Sequence, residues 1–228
     1  MLGFLWSVLN PLLMMTVTTI VFSQLFKFNI QDFPVYYLSG TLIFNFIVEA
    51  TVQSINSVIG AAALIKKVYI PKYIFPLEKC IFAFINMLFA LTAVALVFIV
   101  LRVPLHWTVL LTPVPMIYAF GFAMGLGLIL AALNVMFRDI EHLYSVWVTA
   151  WMYLTPIIYP IDMLPERFRT LMHLNPVYHY VSYTRNVLIY GEVPSLRSNL
   201  ICIGFSLFFL ILGVWTFRKQ QDKFIFHI

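Results

Sequence analysis

Apolar residues in this chain come in long unbroken runs, not in the alternation of a half-buried strand. A helix crossing a bilayer needs about 20 mostly apolar residues. Six stretches reach or approach that length: residues 5–25, 35 to about 59, 81–101, 109–133, 143–159 and 200–217. A membrane β-barrel would show segments of about 10 residues in strict alternation, and the chain has none. The pattern predicts an all-α integral membrane protein of six transmembrane helices, built as one domain over residues 1–228.

The connectors carry patterns of their own. Between the fifth and sixth runs, Pro165 suits a helix start, and Leu164, Phe168, Leu171 and Met172 share a face before the Asn175-Pro176 stop. A second segment opens at Pro176, sets Val177, Val181 and Leu188 on one side, and ends at Gly191. Two short amphipathic helices at the outer membrane surface fit this pattern. Between the second and third runs stands ALIKKVYIPKYIFPLEKC, residues 63–80, where Pro71 and Pro76 bar one uninterrupted helix. Its lysines alternate with Ile65, Val68, Tyr69 and Ile70. Residue types alone favour a topogenic anchor here over a knob for a partner.

Composition agrees with the runs. The chain is 62% hydrophobic and 10% charged, with 22 Phe among 228 residues, whereas a soluble domain is nearer half apolar and a quarter charged. The net charge of +5 falls in short clusters between apolar runs, so juxtamembrane positive charge explains it and a nucleic-acid partner does not. Placing both termini in the cytoplasm puts eight Lys and Arg inside and six outside. Without the 160–199 connector the balance is eight to two, in the same direction. Cys80 and Cys202 form no metal or redox pattern, and this topology sets them near opposite faces. The first run is too long for the apolar core of a cleavable signal and lacks a small-residue cleavage site after it.

Polar residues inside the runs are costly and therefore informative, since a charge at the bilayer centre costs at least ~2.5 kcal/mol. Thr41, Asn45, Glu49, Gln53 and Ser57 recur every four residues, and each such step turns a helix by only about 40°. This stripe should face a partner helix or a wet pathway. Packing is favoured for Thr41 and Ser57, and a transport pathway for Asn45, Glu49 and Gln53. In the fifth run, Tyr144, Trp147 and Trp151 are read as falling on one face, where rings could stack on sugars or simply pack. Gly121 and Gly125, with Gly127, allow close helix approach within the protomer. The five histidines have no metal-ligand spacing, so no metal is assigned. No nucleophile–base set converges in the loops; Asp162 and Glu166 come nearest and read as helix-start residues. None of the nine glycines is followed by Lys, so the chain lacks a phosphate-cradling P-loop. It is read as binding no cofactor itself and as no enzyme.

Several segments in order resemble the ABC-2-type polysaccharide export permeases. They are LGFLWSVLNPLL at 2–13, ALIKKVYIPKY at 63–73, NVMFRDIEHL at 134–143 and WMYLTPIIYPIDMLP at 151–165, followed by Asn175-Pro176, Arg185 and Gly191. Within that family the likeness is nearest to exporters of lipid-linked O-antigen, capsule or teichoic acid. The resemblance implies a homodimer of permease subunits in the bacterial cytoplasmic membrane. Two copies of a cytoplasmic ABC ATPase would supply energy from ATP and Mg, and the substrate would be a lipid-linked polysaccharide. It also reverses the reading of the lysine-bearing loop. Ile65, Lys66, Lys67, Val68, Tyr69, Ile70, Pro71 and Lys72 become the expected ATPase-docking element. Arg138 and Asp139 on the next cytoplasmic loop are either a second contact or a local ion pair. The conduit of such permeases is lined by the first, second and fifth spans, which makes Asn45, Glu49, Gln53, Tyr144, Trp147 and Trp151 pathway candidates. Family members open with a basic interfacial helix ahead of LG…LWSVLNP; the sequence starts one residue before that segment, so the element is expected to be missing. Three other readings stay open: an ABC-2 permease for a hydrophobic small molecule, a membrane-embedded glycan-processing enzyme, and a proton-coupled transporter using Glu49.

Overall fold

In this computed structural model, which describes residues 2–21 and 32–224, the described residues form helices joined by short turns and loops, with no strand among them. Helix α1 spans Leu2–Ile20, α2 Phe33–Ile55, α3 Ser57–Gly60 and α4 Ala62–Ile65. Then come α5 Ile74–Leu101, α6 Pro113–Met136, α7 Ile140–Leu154, α8 Glu166–Met172, α9 Pro176–Arg185 and α10 Leu196–Gln220. Proline sets several starts: Pro34, Pro113 and Pro176 each occupy a first-turn position, where the missing N–H has no helical partner anyway.

Among the described residues, four helical segments are long and apolar enough to cross a membrane: Phe33–Ile55, Ile74–Leu101, Trp107–Met136 and Leu196–Lys223. The first and fifth predicted spans fall short by that measure. In α1 the apolar part is Val8–Ile20, and the rest of the predicted first span, residues 22–25, lies outside the described residues. The predicted fifth span, 143–159, is cut at Leu154, because Thr155 is forced to φ −99°, ψ 130° by the Pro156 that follows it. Fifteen residues at 1.5 Å each make α7 about 22 Å long, against a hydrocarbon core of about 30 Å.

Helix α2 is the axis of the bundle, with seventeen of its 23 residues buried against α5, α6, α7 and α9. The most intimate pair is α6 with α10, and glycine is the reason. A Cβ on Gly125 would lie 2.3 Å from the backbone of Phe209, and one on Gly213 would lie 2.2 Å from Gly125 O. Gly121 meets Ser206 of α10 in the same seam, whereas Gly127 faces Ser54 of α2. The small-residue pattern thus serves packing inside the protomer.

The two short helices of the long connector are present, but they differ in setting. Helix α8 buries Met172 and leaves Phe168 and Leu171 exposed. Helix α9 is not a surface helix. Val177, Tyr180, Val181 and Tyr183 are buried against α2, α6 and α10, and Tyr180 Oη donates to Cys202 O at 3.1 Å. A wider turn at Asn186–Tyr190 follows and stops at Gly191, whose φ of 67° is left-handed. Val187 and Leu188 of that turn are buried as well.

Candidate functional site

One end of the bundle gathers three chain segments. Asn134 Nδ2 near the end of α6 donates to Ile55 O at 3.2 Å and Asn56 Oδ1 at 3.0 Å. That pair fixes the α6–α7 turn beside the exit of α2. The chain then makes the single turns α3 and α4, and Pro71 holds it off the next helix until Ile74. Ile65 is half-buried and packs on the core, while Lys66, Lys67, Val68 and Pro71 are exposed. Tyr69 is 98% exposed, and Ile70 is half-buried. Lys72 turns inward: its Nζ donates to Gln221 O at 2.5 Å and lies 5.8 Å from the Phe224 ring. An ammonium on the carbonyl of Gln221, the residue that caps α10, suits the negative end of that helix. Arg138 and Asp139 stand exposed at the neighbouring turn. The predicted docking residues are therefore brought to one end, with Lys72 serving as the strut between the loop and α10.

A second feature lies along α2. A cavity of about 360 Å³ opens between α1, α2 and α5, lined by Asn10, Thr41, Asn45, Glu49 and Asn86 among apolar neighbours. Glu49 Oε1 accepts from Asn86 Nδ2 at 2.6 Å and from Gln53 Nε2 at 3.0 Å. The predicted stripe resolves into parts. Asn45 and Glu49 line the cavity, and Gln53 reaches back one turn to Glu49. Thr41 bonds its own helix at Tyr37 O (3.0 Å), and Ser57 bonds Ser54 O (2.7 Å). Asn86 and Asn10 escaped the sequence reading. Each is a lone amide in an apolar run, and that isolation was the available signal.

The α7 aromatics lie on the other side of α2 from this cavity. Tyr144 is buried, with Oη 2.7 Å from Thr51 Oγ1. Trp151 is buried edge-on to Phe44 and Phe122, and its Nε1 donates to Asn175 Oδ1 at 2.9 Å. Trp147 is half exposed, 6.0 Å from Trp151. Seven residues nearly complete two turns, so Tyr144 and Trp151 point together, whereas Trp147 sits about 60° away. Of the three, only the ring of Trp147 faces outward.

The opposite end of the bundle is closed by a buried cation. Arg185, at the end of α9, donates through Nη1 to Pro156 O at 2.7 Å. Its Nη2 donates to Ile157 O at 2.8 Å and Tyr36 O at 3.2 Å. The Tyr36 ring lies 3.5 Å from the guanidinium carbon, and Tyr36 Oη donates to Tyr159 O at 3.1 Å. A Cβ at Gly40 would stand 2.7 Å from Nη2, so the glycine clears the seat. The carbonyls freed by the Thr155-Pro156 break are thus taken up by α9, which answers the backbone demand of non-helical chain at this depth. Arg185, counted above among the outer charges, belongs to the interior.

The profile of the ABC-2 type transporter family matches residues 1–189, most of the chain. The chain belongs to the ABC-2 type transporter family. Among its ABC-2 relatives is an O-antigen export system permease protein, RfbA, of Klebsiella pneumoniae, 28% identical over 97% of this chain and 86% of the relative. The Myxococcus xanthus protein of the same name is 27% identical over 98% of the chain and 86% of the relative. A polysialic acid transport protein, KpsM, of Escherichia coli is 22% identical over 98% and 88%. Among the described residues of this ABC-2 chain, no three His, Cys, Asp or Glu side chains are placed to hold a metal ion.

Proposed function

We propose that this chain is the permease subunit of an ATP-driven exporter of lipid-linked polysaccharide in the bacterial cytoplasmic membrane. The observation that carries the reading is its likeness, along nearly its whole length, to permeases named for O-antigen export. Two copies of the chain work with two cytoplasmic ATPase subunits, which bind the ATP and Mg. α1 and α7 complete a six-span layout around the four longer helices, α7 being prolonged by the Pro156–Pro160 segment that Arg185 holds. Both termini face the cytoplasm, and so do the 65–72 loop and the Arg138–Asp139 turn.

The work passes through the loop. Tyr69 is a fully presented aromatic knob beside Ile70, the kind of group that anchors in a partner's pocket. Lys72 ties the loop to α10, and the glycine seam ties α10 to α6, so a push on the knob moves that pair against α2. The Asn45–Glu49–Gln53–Asn86 cluster gives hydroxyl-rich cargo a polar wall, and Trp147 a ring to slide over.

The test is reconstitution with the cognate ATPase in liposomes. Hydrolysis should rise when a lipid-linked glycan is added and stay flat with apolar drugs. Stimulation by apolar drugs alone would replace the polysaccharide reading with that of a small-molecule exporter.

A further inference from the structure

Arg185 is a cation that the described residues do not neutralise. It is 5% exposed, and burying a charge is costly unless its donors and its charge are both answered. Pro156, Ile157 and Tyr36 provide carbonyl dipoles and Tyr36 a ring face, but none carries a full negative charge. The Nε–H has no acceptor among the described residues. The acid in the neighbourhood, Asp162, is turned to Arg169 at 3.8 Å. The clamp leaves that donor unmet and has space beside it. It lines a cavity of about 170 Å³ walled by Tyr36, Tyr178, Ser182, Asn186 and Tyr190, with Asp162 at its edge. Tyr190 and Asp162 are exposed, so the hollow has a rim open to the outside and a buried cationic floor. A neighbouring hollow of about 570 Å³ shares Tyr178 and Ser182 and carries the wall on to His179 and the exposed Arg197.

We propose that the hollow over Arg185 is an anion subsite for one phosphate or carboxylate group. Arg185 supplies the charge, and Tyr178, Ser182 and Asn186 supply neutral donors. Such a group is carried both by an acidic glycan unit and by an anionic lipid headgroup. The inference rests on the geometry of this end of the bundle and stands apart from the polysaccharide reading.

The experiment is calorimetric titration of the full chain, in nanodiscs of neutral phosphatidylcholine, with inorganic phosphate and with glucuronate. Saturable binding is expected. Arg185→Gln should weaken it by about tenfold or more, the scale of one charge-assisted hydrogen bond. Ser182→Ala and Tyr178→Phe, which leave the three carbonyl contacts in place, should weaken it several-fold, and Arg169→Gln should not change it. Repeating the titration in phosphatidylglycerol nanodiscs separates the sources. Loss of soluble-anion binding there assigns the subsite to a lipid headgroup, and retained binding assigns it to a glycan or free anion. The proposal is overturned if wild type binds neither anion, or if binding is unchanged in Arg185→Gln and in both cavity variants.

Discussion

Alanine at Gly125 tests how closely α6 and α10 are joined. Its methyl would lie 2.3 Å from Phe209 C and O and 2.4 Å from Leu210 N, all backbone atoms, so no rotamer relieves the clash. The two helices must part by about an ångström to reach ordinary contact. Overpacking costs about 1–3 kcal/mol, and a clash with backbone sits at the top of that range. Alanine returns about 1 kcal/mol of helix propensity, leaving a net loss of about 2 kcal/mol. For a chain of this size that lowers Tm by about 4–8 °C. Gly204, on the same α10, has nothing within 4 Å of its Cβ and serves as the control. Gly127→Ala should fall between the two, since its closest neighbour is the Ser54 side chain, at 2.9 Å. The assay is thermal unfolding followed by fluorescence-detected size exclusion in one detergent. Equal Tm values for Gly125→Ala and Gly204→Ala would refute the glycine seam.

Three further outcomes are expected. In a double-mutant cycle of Asn86→Leu with Glu49→Leu, the hydrogen bond between them should appear as a coupling of about 1 kcal/mol in reversible unfolding, the scale of bonds between membrane helices; zero coupling would dissolve the cluster. Trp151→Ala should destabilise by about 3–5 kcal/mol, because it empties a core site and removes one of the bonds to Asn175, whereas Trp147→Ala should keep Tm and slow glycan export in liposomes. Burial holds the His179 imidazole below its ordinary value of 6.5 while its Nε2 stays 2.9 Å from His173 O. The folded chain therefore prefers the neutral ring, and the stability this contributes is complete above about 6.5 and lost as the pH falls below it. A Tm series over pH should show that loss in wild type and not in His179→Phe, which keeps the stack on Phe205.

The helical class and four of the spans were legible in the sequence because run length reports directly on hydrocarbon thickness. The lysine-bearing loop and the breaks at Pro71 and Gly191 were legible for equally local reasons. What escaped is non-local. α7 keeps its apolar run to Tyr159, yet one proline ends its hydrogen-bonding at Leu154, and composition does not weigh a single lost N–H. Arg185 read as an outer charge because counting assigns every Arg to water; only the freed carbonyls of Pro156 and Ile157 make it an interior residue. Likewise Tyr144 and Trp151 spend their polar atoms on Thr51 and Asn175, partners distant in the chain. Asn86 was marked only by its isolation in an apolar run; nothing local shows that its partner is Glu49 on the neighbouring α2.

The proposed mechanism requires the 65–72 loop to lie in the cytoplasm and to be gripped there by an ATPase. A photo-crosslinking amino acid placed at position 69 in the full complex, in intact cells, tests it most directly, since Tyr69 is 98% exposed and its replacement disturbs no packing. A light-dependent adduct with the ATPase is expected, with no reaction of Tyr69→Cys with an impermeant thiol reagent added outside. Labelling from outside, with no ATPase adduct, would contradict it.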